Sequence, residues 1–172
     1  MEGSMAIEAE VFKSGMRRLT SGVSIITTLG EDGPRGLTAT AVCSVSVEPP
    51  TLLCCINRGS SAHDVIHGSR VLAVNFLAVA DQDLANRFAG VDTRDERFAE
   101  GRWTSLATGA PILETALACF DCRIVSIMDG TTHSIFFAEV IEVRLGAEAP
   151  PLLYFGGGYG SFAAEVTQPS RS

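Results

Sequence analysis

The 172-residue chain has the length of one ordinary domain, with 46% hydrophobic residues for a core and 19% charged residues, against roughly 25% in typical soluble domains. Its formal net charge is −7 and no basic run occurs, which argues against a nucleic-acid partner. No segment reaches the roughly 18 apolar residues of a membrane span, and no basic region followed by an apolar run opens the chain, so a soluble cytoplasmic protein is expected.

Met1-Glu2-Gly3-Ser4-Met5 reads as a tag remnant before a native start at Met5, and residues 1–10 are assigned to an N-terminal tail. Residues 8–19 carry Val11, Phe12, Met16 and Leu19 between charges, the pattern of a short amphipathic helix. Residues 23–29 are rich in β-branched side chains and predict a strand. A turn at Gly30-Glu31-Asp32-Gly33-Pro34 leads into one long second strand over residues 35–47, so that the two form a hairpin. After Glu48-Pro49-Pro50, residues 51–56 predict a third, apolar strand.

A short helix is expected over residues 60–67, capped by Ser60 or Ser61, then a strand over 71–77. A second amphipathic helix over 81–89 takes Asp81 as its cap. Residues 90–108 read as an irregular excursion packed by Phe98 and Trp103. Residues 116–128 and 133–145 are two long β patterns joined by Asp129-Gly130-Thr131-Thr132, and residues 152–155 a last short strand. About seven antiparallel strands with short corner helices predict a mostly β fold, closed as a barrel. The domain spans 11–163, with a C-terminal tail over 164–172. The apolar surplus over charge points to a homodimer interface.

Five cysteines without an export signal predict free thiols. Cys119 and Cys122 form a CxxC, but three residues along a strand separate the sulfurs to opposite faces. Cys43, Cys54 and Cys55 read as small core residues. His63 and His67 have metal-ligand spacing on the short helix, yet no Glu follows His63, and no metal is expected.

No nucleophile elbow, Walker loop or dinucleotide-binding glycine pattern occurs. Three features carry chemistry instead. Asn57-Arg58-Gly59-Ser60-Ser61 leads from strand to helix, and reads as an anion site or as an ordinary capped loop. The small-residue run from Gly36 to Ser46 either lets a flat ring approach the backbone or faces a crowded barrel interior. His133 is either a surface turn residue or a polar group at a site mouth.

In this order and spacing the three features resemble the short-chain flavin reductases, the reductase components of two-component flavin-dependent monooxygenases. The resemblance extends through the segments 20–28, 36–41, 44–50, 57–61, 74–77, Gln82 with Phe88-Ala89, 109–113, His133, Glu139-Val140 and 151–155. It implies an FMN-binding split barrel, a homodimer, FMN or FAD as flavin, and NADH or NADPH as reductant. It implies that reduced flavin goes to a partner monooxygenase. By the same resemblance Thr38, Ala39, Thr40 and Ala41 border the isoalloxazine, and Ser44, Val45 and Ser46 line the ribityl and phosphate path. Asn57, Arg58, Ser60 and Ser61 would hold phosphate, Tyr159 and Phe162 would sit at the pocket edge, and His133 would meet the nicotinamide. Thr131-Thr132 stand where the family often has Gly-Asp, and Thr40-Ala41 where it usually has an Asn-Ser pair. The same fold also admits a tightly held flavin that reduces another acceptor, such as a corrin, or a flavin-binding module without activity.

Overall fold

The computed structural model describes residues 7–90 and 94–162. In chain order these form α1 (Ala9–Met16), β1 (Ser21–Gly22), β2 (Ser24–Gly30), β3 (Gly33–Ala39), β4 (Val42–Val47), β5 (Pro50–Asn57), α2 (His63–Ser69) and β6 (Val71–Phe76). A 3-10 turn (Val79–Asp81) precedes α3 (Gln82–Ala89), α4 (Arg94–Ala99), β7 (Trp103–Ser105), β8 (Pro111–Leu113), β9 (Ala118–Asp129), β10 (His133–Leu145), β11 (Leu153–Phe155) and β12 (Gly158–Gly160). Among the described residues no helix is long and apolar enough to cross a membrane.

Seven strands form one antiparallel sheet in the order β3-β2-β6-β9-β10-β5-β4. The expected hairpin of residues 23–29 with 35–47 is therefore half right. Residues 33–39 do pair with β2, through a turn that needs Gly33 at a φ of 103°. The chain then leaves at Thr40-Ala41, and β4 pairs with β5 at the far edge of the sheet. Two connecting residues let the Cα atoms of Ala39 and Val42 stand no more than about 11 Å apart. The two edges of the sheet must accordingly approach each other, and the sheet curls into a barrel that is split rather than laddered at the seam. A bond from the Cys55 amide to the Ala41 carbonyl (3.0 Å) secures the crossover to β5.

Alternation along the strands builds two cores. The barrel interior holds Ile26, Cys54, Ile56, Leu72, Val74, Cys122 and Phe136, with Ala62 just before α2 and Ile66 within it. The other face of β2, β6 and β9 presents Ile25, Ala73 and Cys119 to Leu84 and Phe88 of α3 and to Ile112 and Leu113 of β8. The CxxC sulfurs thus point into different cores. Phe98 packs edge-on and Trp103 tilted against Phe88, at ring separations of 5.0 and 5.5 Å, the packing role expected of them.

Several expectations change in detail. Residues 90–108 contain α4 and β7 rather than irregular chain alone, and β1, β8 and β12 are additional short strands. Asp81 does not cap α3; its carboxylate accepts bonds from the Ala78 amide and the Thr115 hydroxyl. Helix α2 begins at His63 without a side-chain cap. It seats on β2 through a 2.8 Å bond between the Thr28 and Ser69 hydroxyls, and Gly30 lies so close to Val65 that a Cβ there would stand 2.5 Å from it. Cys43 is exposed on β4, whereas Cys54 is buried. The helix expected over residues 8–19 forms as α1, two residues inside the assigned tail, and it buries none of its side chains within this chain. The C-terminal tail over 164–172 lies outside the described residues.

Candidate functional site

The strand-to-helix loop and His133, 72 residues apart from Ser61 in sequence, occupy one corner of the barrel. His133 is the Cα partner of Asn57 across the β5–β10 ladder. The turn between β9 and β10 folds over the same place. The Arg58 amide donates to the Thr132 carbonyl (3.0 Å), and the Arg58 guanidinium donates to the Gly130 carbonyl (3.1 Å). His133 is exposed, and its Nδ1 shares a 2.9 Å hydrogen bond with the Thr132 hydroxyl. The threonine standing in place of the expected acid thus still orients the ring.

The loop spends most of its backbone donors on itself. The Gly59 amide donates to the Asn57 side chain, the Ser60 amide to the Asn57 carbonyl, the Ala62 amide to the Ser60 hydroxyl and the His63 amide to the Ser60 carbonyl. A preformed turn results, but not the array of free N–H groups expected at a helix N-terminus. Any anion held here is met chiefly by side chains, and the Ser61 side chain is exposed.

Beneath the corner runs a polar chain, buried at His63 and Ser134 and exposed at its two carboxylate ends, that sequence reasoning missed. His63 is 4% exposed; its Nδ1 lies 2.8 Å from the Asp64 carboxylate and its Nε2 lies 2.9 Å from the Ser134 hydroxyl. Ser134 in turn donates to Asp129 at 2.7 Å. That bond, and then the Arg58 charge, hold the Asp129 carboxyl below the usual carboxylate range. His67 is exposed with its ring 6.3 Å from that of His63, and no group of three metal-ligating side chains occurs among the described residues.

The small-residue run divides between two uses. Thr38 donates its hydroxyl to the Ala85 carbonyl of α3 (2.7 Å), and Ala39 is buried in the barrel core. Thr40 and Ala41 are exposed at the crossover, as are Ser44 and Val45 on the edge strand β4. Ser46 is half-buried and donates to the Pro49 carbonyl. Thr40 lines a cavity of about 470 Å³ whose walls include Gly22, Val23, Phe76 and Leu152. That volume lies in the range of small-molecule sites. Tyr159 and Phe162 line a separate hollow of about 390 Å³, joined to the first only through Thr20. Within one chain these two aromatics are not brought to the Asn57–His133 corner.

A second residue without a sequence signal is Arg97, on α4 of the excursion. Its guanidinium donates to the Gly90 carbonyl (2.8 Å) and the Gly36 carbonyl (3.1 Å), and reaches the Ser61 hydroxyl at 3.5 Å. Three thiols are poor nucleophiles: burial pushes Cys54 far up, Cys122 up to about 12, and raises Cys119.

Comparison with known proteins adds the context. The flavin reductase-like domain family matches residues 16–163. The FMN reductase (NADH) RutF of Variovorax paradoxus strain S110 is 46% identical over 153 residues, covering 89% of this chain and 85% of that protein. A nitrilotriacetate monooxygenase component B homologue from Mycobacterium thermoresistibile superimposes with a TM-score of 0.88 at 28% identity, covering 95% of this chain and 91% of that one. The NADH:FAD oxidoreductase SgcE6 of Streptomyces globisporus C-1027, in complex with NAD and FAD fragments, does so with a TM-score of 0.85 at 27% identity, covering 95% of this chain and 100% of that one.

Proposed function

This chain belongs to the family of flavin reductase-like domains, and from that premise we propose that it is an NADH-dependent FMN reductase whose reduced flavin leaves to serve a partner monooxygenase. The choice of FMN and NADH follows the name of the 46% identical relative, and the partner follows the monooxygenase component among its structural neighbours. The observation that carries the site is the pairing of Asn57 with His133, which puts an anion-suited loop beside a polar ring at one corner.

The residues present fit a flavin. The Ser61 hydroxyl and the Arg58 guanidinium are exposed donors suited to a phosphate, and the edge strand β4 with Thr40-Ala41 presents small side chains beside a cavity. When bound, the flavin supplies the acceptor for a hydride from the nicotinamide. The chain supplies position. Thr40, Ala41, Ser44, Val45 and Ser46, with the backbone of Thr38 and Ala39, form the wall for the ring and its side chain. Asn57, Ser60, Ser61 and Arg58 form and furnish the phosphate end. His133, steered by Thr132, orients the nicotinamide and provides no nucleophile. Tyr159 and Phe162, which line a separate hollow within one chain, would close the pocket edge only across a dimer.

The working form is a homodimer. Val11, Phe12 and Met16 of α1 are at least half exposed, and a helix of 8 residues with no buried side chain is not stable in water on its own. A second copy of the chain is the surface that would cover it. Five free cysteines suit a reducing, cytoplasmic setting.

The direct test is anaerobic mixing of the protein with FMN and NADH, which should bleach the flavin absorbance. Absence of bleaching with both NADH and NADPH would overturn the assignment. His133→Ala should slow reduction in stopped flow while FMN affinity stays near normal, and an unchanged rate would remove His133 from the site. Light scattering should report a dimer, and Phe12→Asp should shift it toward monomer.

A further inference from the structure

Helix α2 opens on a histidine to which the reaction has so far assigned no part. The His63 side chain lies almost wholly inside the chain. Its helix is seated on β2 by the bond between the Thr28 and Ser69 hydroxyls and by the close approach of Val65 to Gly30. The buried Phe136 ring fixes the imidazole from the side, at a ring separation of 5.6 Å. His63 is thus a rigid point from which a neighbouring element can be held.

The element it holds is the β9–β10 turn, and the direction of each bond follows from counting protons. The Asp129 carboxyl, held below the usual carboxylate range first by its bond from Ser134, is ionised at neutral pH and can only accept. Ser134 has one hydroxyl proton and gives it to Asp129 at 2.7 Å. Its oxygen is then the acceptor for His63 Nε2 at 2.9 Å, so Nε2 carries a proton. The Asp64 carboxylate at Nδ1 is 95% exposed and forms the water end of the chain. The atoms are those of an Asp-His-Ser triad. Ser134, however, is wholly buried and its proton points away from the imidazole, so no nucleophile is poised.

Ser134 and Asp129 are Cα partners on either side of the turn, and Ser134 directly follows His133. Successive strand residues face opposite sides, so an anchor on the inward Ser134 sets the direction in which the exposed His133 leaves the strand. Arg58 ties the same turn to the Asn57–Ser61 loop through the Gly130 and Thr132 carbonyls. Only His63 ties it to a helix among the hydrogen bonds of the described residues. We propose that His63 is a positioning residue for flavin reduction, whose Nε2–H acts through Ser134 to aim His133 at the nicotinamide. This rests on the reading of His133 as the nicotinamide contact.

The test is stopped-flow reduction of FMN at saturating NADH, with FMN affinity measured beside it by fluorescence titration of the full chain. His63→Leu keeps apolar volume and removes the donor, and leaves Ser134 bonded to Asp129. Its reduction rate should fall roughly tenfold, as for a reacting group held slightly out of line, while FMN affinity stays within about twofold of the parent's. Retained FMN binding also reports that the variant is folded. His63→Asn, whose shorter amide stops short of Ser134, should repeat the loss, so the test does not depend on one variant. His63→Gln, whose amide N–H can stand where Nε2–H stood, should recover most of the rate. In a His133→Ala background, His63→Leu should slow reduction no further, because the group it aims is gone. A parent-like rate in both His63→Leu and His63→Asn, or equal slowing with and without His133, would overturn the assignment of His63 and leave His133 in the site. A His133→Ala variant that reduces FMN at the parent rate would overturn the reading of His133 and this assignment together.

Discussion

At the corner where β5, β10 and α2 meet, nearly every polar group has a partner inside the chain. The loop amides, His63, Ser134, Asp129 and Thr132 are all hydrogen-bonded, and the arrangement stands ready before anything binds. At the crossover between β3 and β4 the reverse holds. Thr40 and Ala41 are exposed, β4 is a sheet edge, and the adjoining cavity opens toward α1, whose apolar face has no cover. The corner is a rigid, self-satisfied device, and the crossover is a surface awaiting a ligand ring and a second copy. Preorganisation of the first keeps the cost of ordering low, whereas the second gains its packing only on assembly.

Four substitutions would break or sharpen this contrast. The largest effect should come from Phe136→Ala, which empties the barrel interior under the corner, where Phe136 meets His63 edge-on at 5.6 Å. A loss of about 3–5 kcal/mol is expected from urea unfolding. A loss below about 1 kcal/mol would show that the corner does not rest on the barrel core. Ala41→Trp places bulk at the exposed crossover, so the unfolding midpoint should stay near the parent's while kcat/KM for FMN falls at least about tenfold. Parent-like kinetics in that variant would separate the crossover from the site.

Ser134→Ala removes the bridge between His63 and Asp129 and leaves a buried imidazole nitrogen unpaired. It should cost about 1–3 kcal/mol of stability, and equal stability would mean that the buried chain is not a support. The smallest effect concerns Asp129, which is fully exposed. Its carboxyl is held below the ordinary value of about 3.9, so its contribution is present above that pH and lost as pH falls through the lowered value. Asp129→Asn should lower stability slightly at pH 7 and flatten the acid limb below about pH 4, so that the difference from the parent vanishes in acid. An acid limb identical to the parent's would assign that limb to other carboxylates.

Much of this was legible along the chain. Alternation in residues 23–29 and 133–145 identified buried strands because a half-buried strand repeats every two residues. Asn57-Arg58-Gly59-Ser60-Ser61 was legible because a strand that ends in Asx and Gly residues must turn locally. The joint order of that loop, the small-residue run and His133 was enough to reach the family. What failed was anything set by contacts distant in sequence. The run over residues 35–47 looks uniform, yet it serves two edges of the sheet, and nothing in its composition marks Thr40-Ala41 as the breaking point. Asp81 and the serines at 60 and 61 read as caps, but Asp81 is taken by Thr115 and the Ala78 amide, and Ser60 by the turn itself.

By itself, then, the sequence determined the elements, their alternating faces and the family, since these follow from local periodicity and from motifs a few residues long. Tertiary structure alone decided that the strand splits at the barrel seam, that His133 stands opposite Asn57, and that Arg97 reaches Ser61 from 36 residues away. Barrel closure brings such residues together through the ladder register, and register is a property of paired strands rather than of either one.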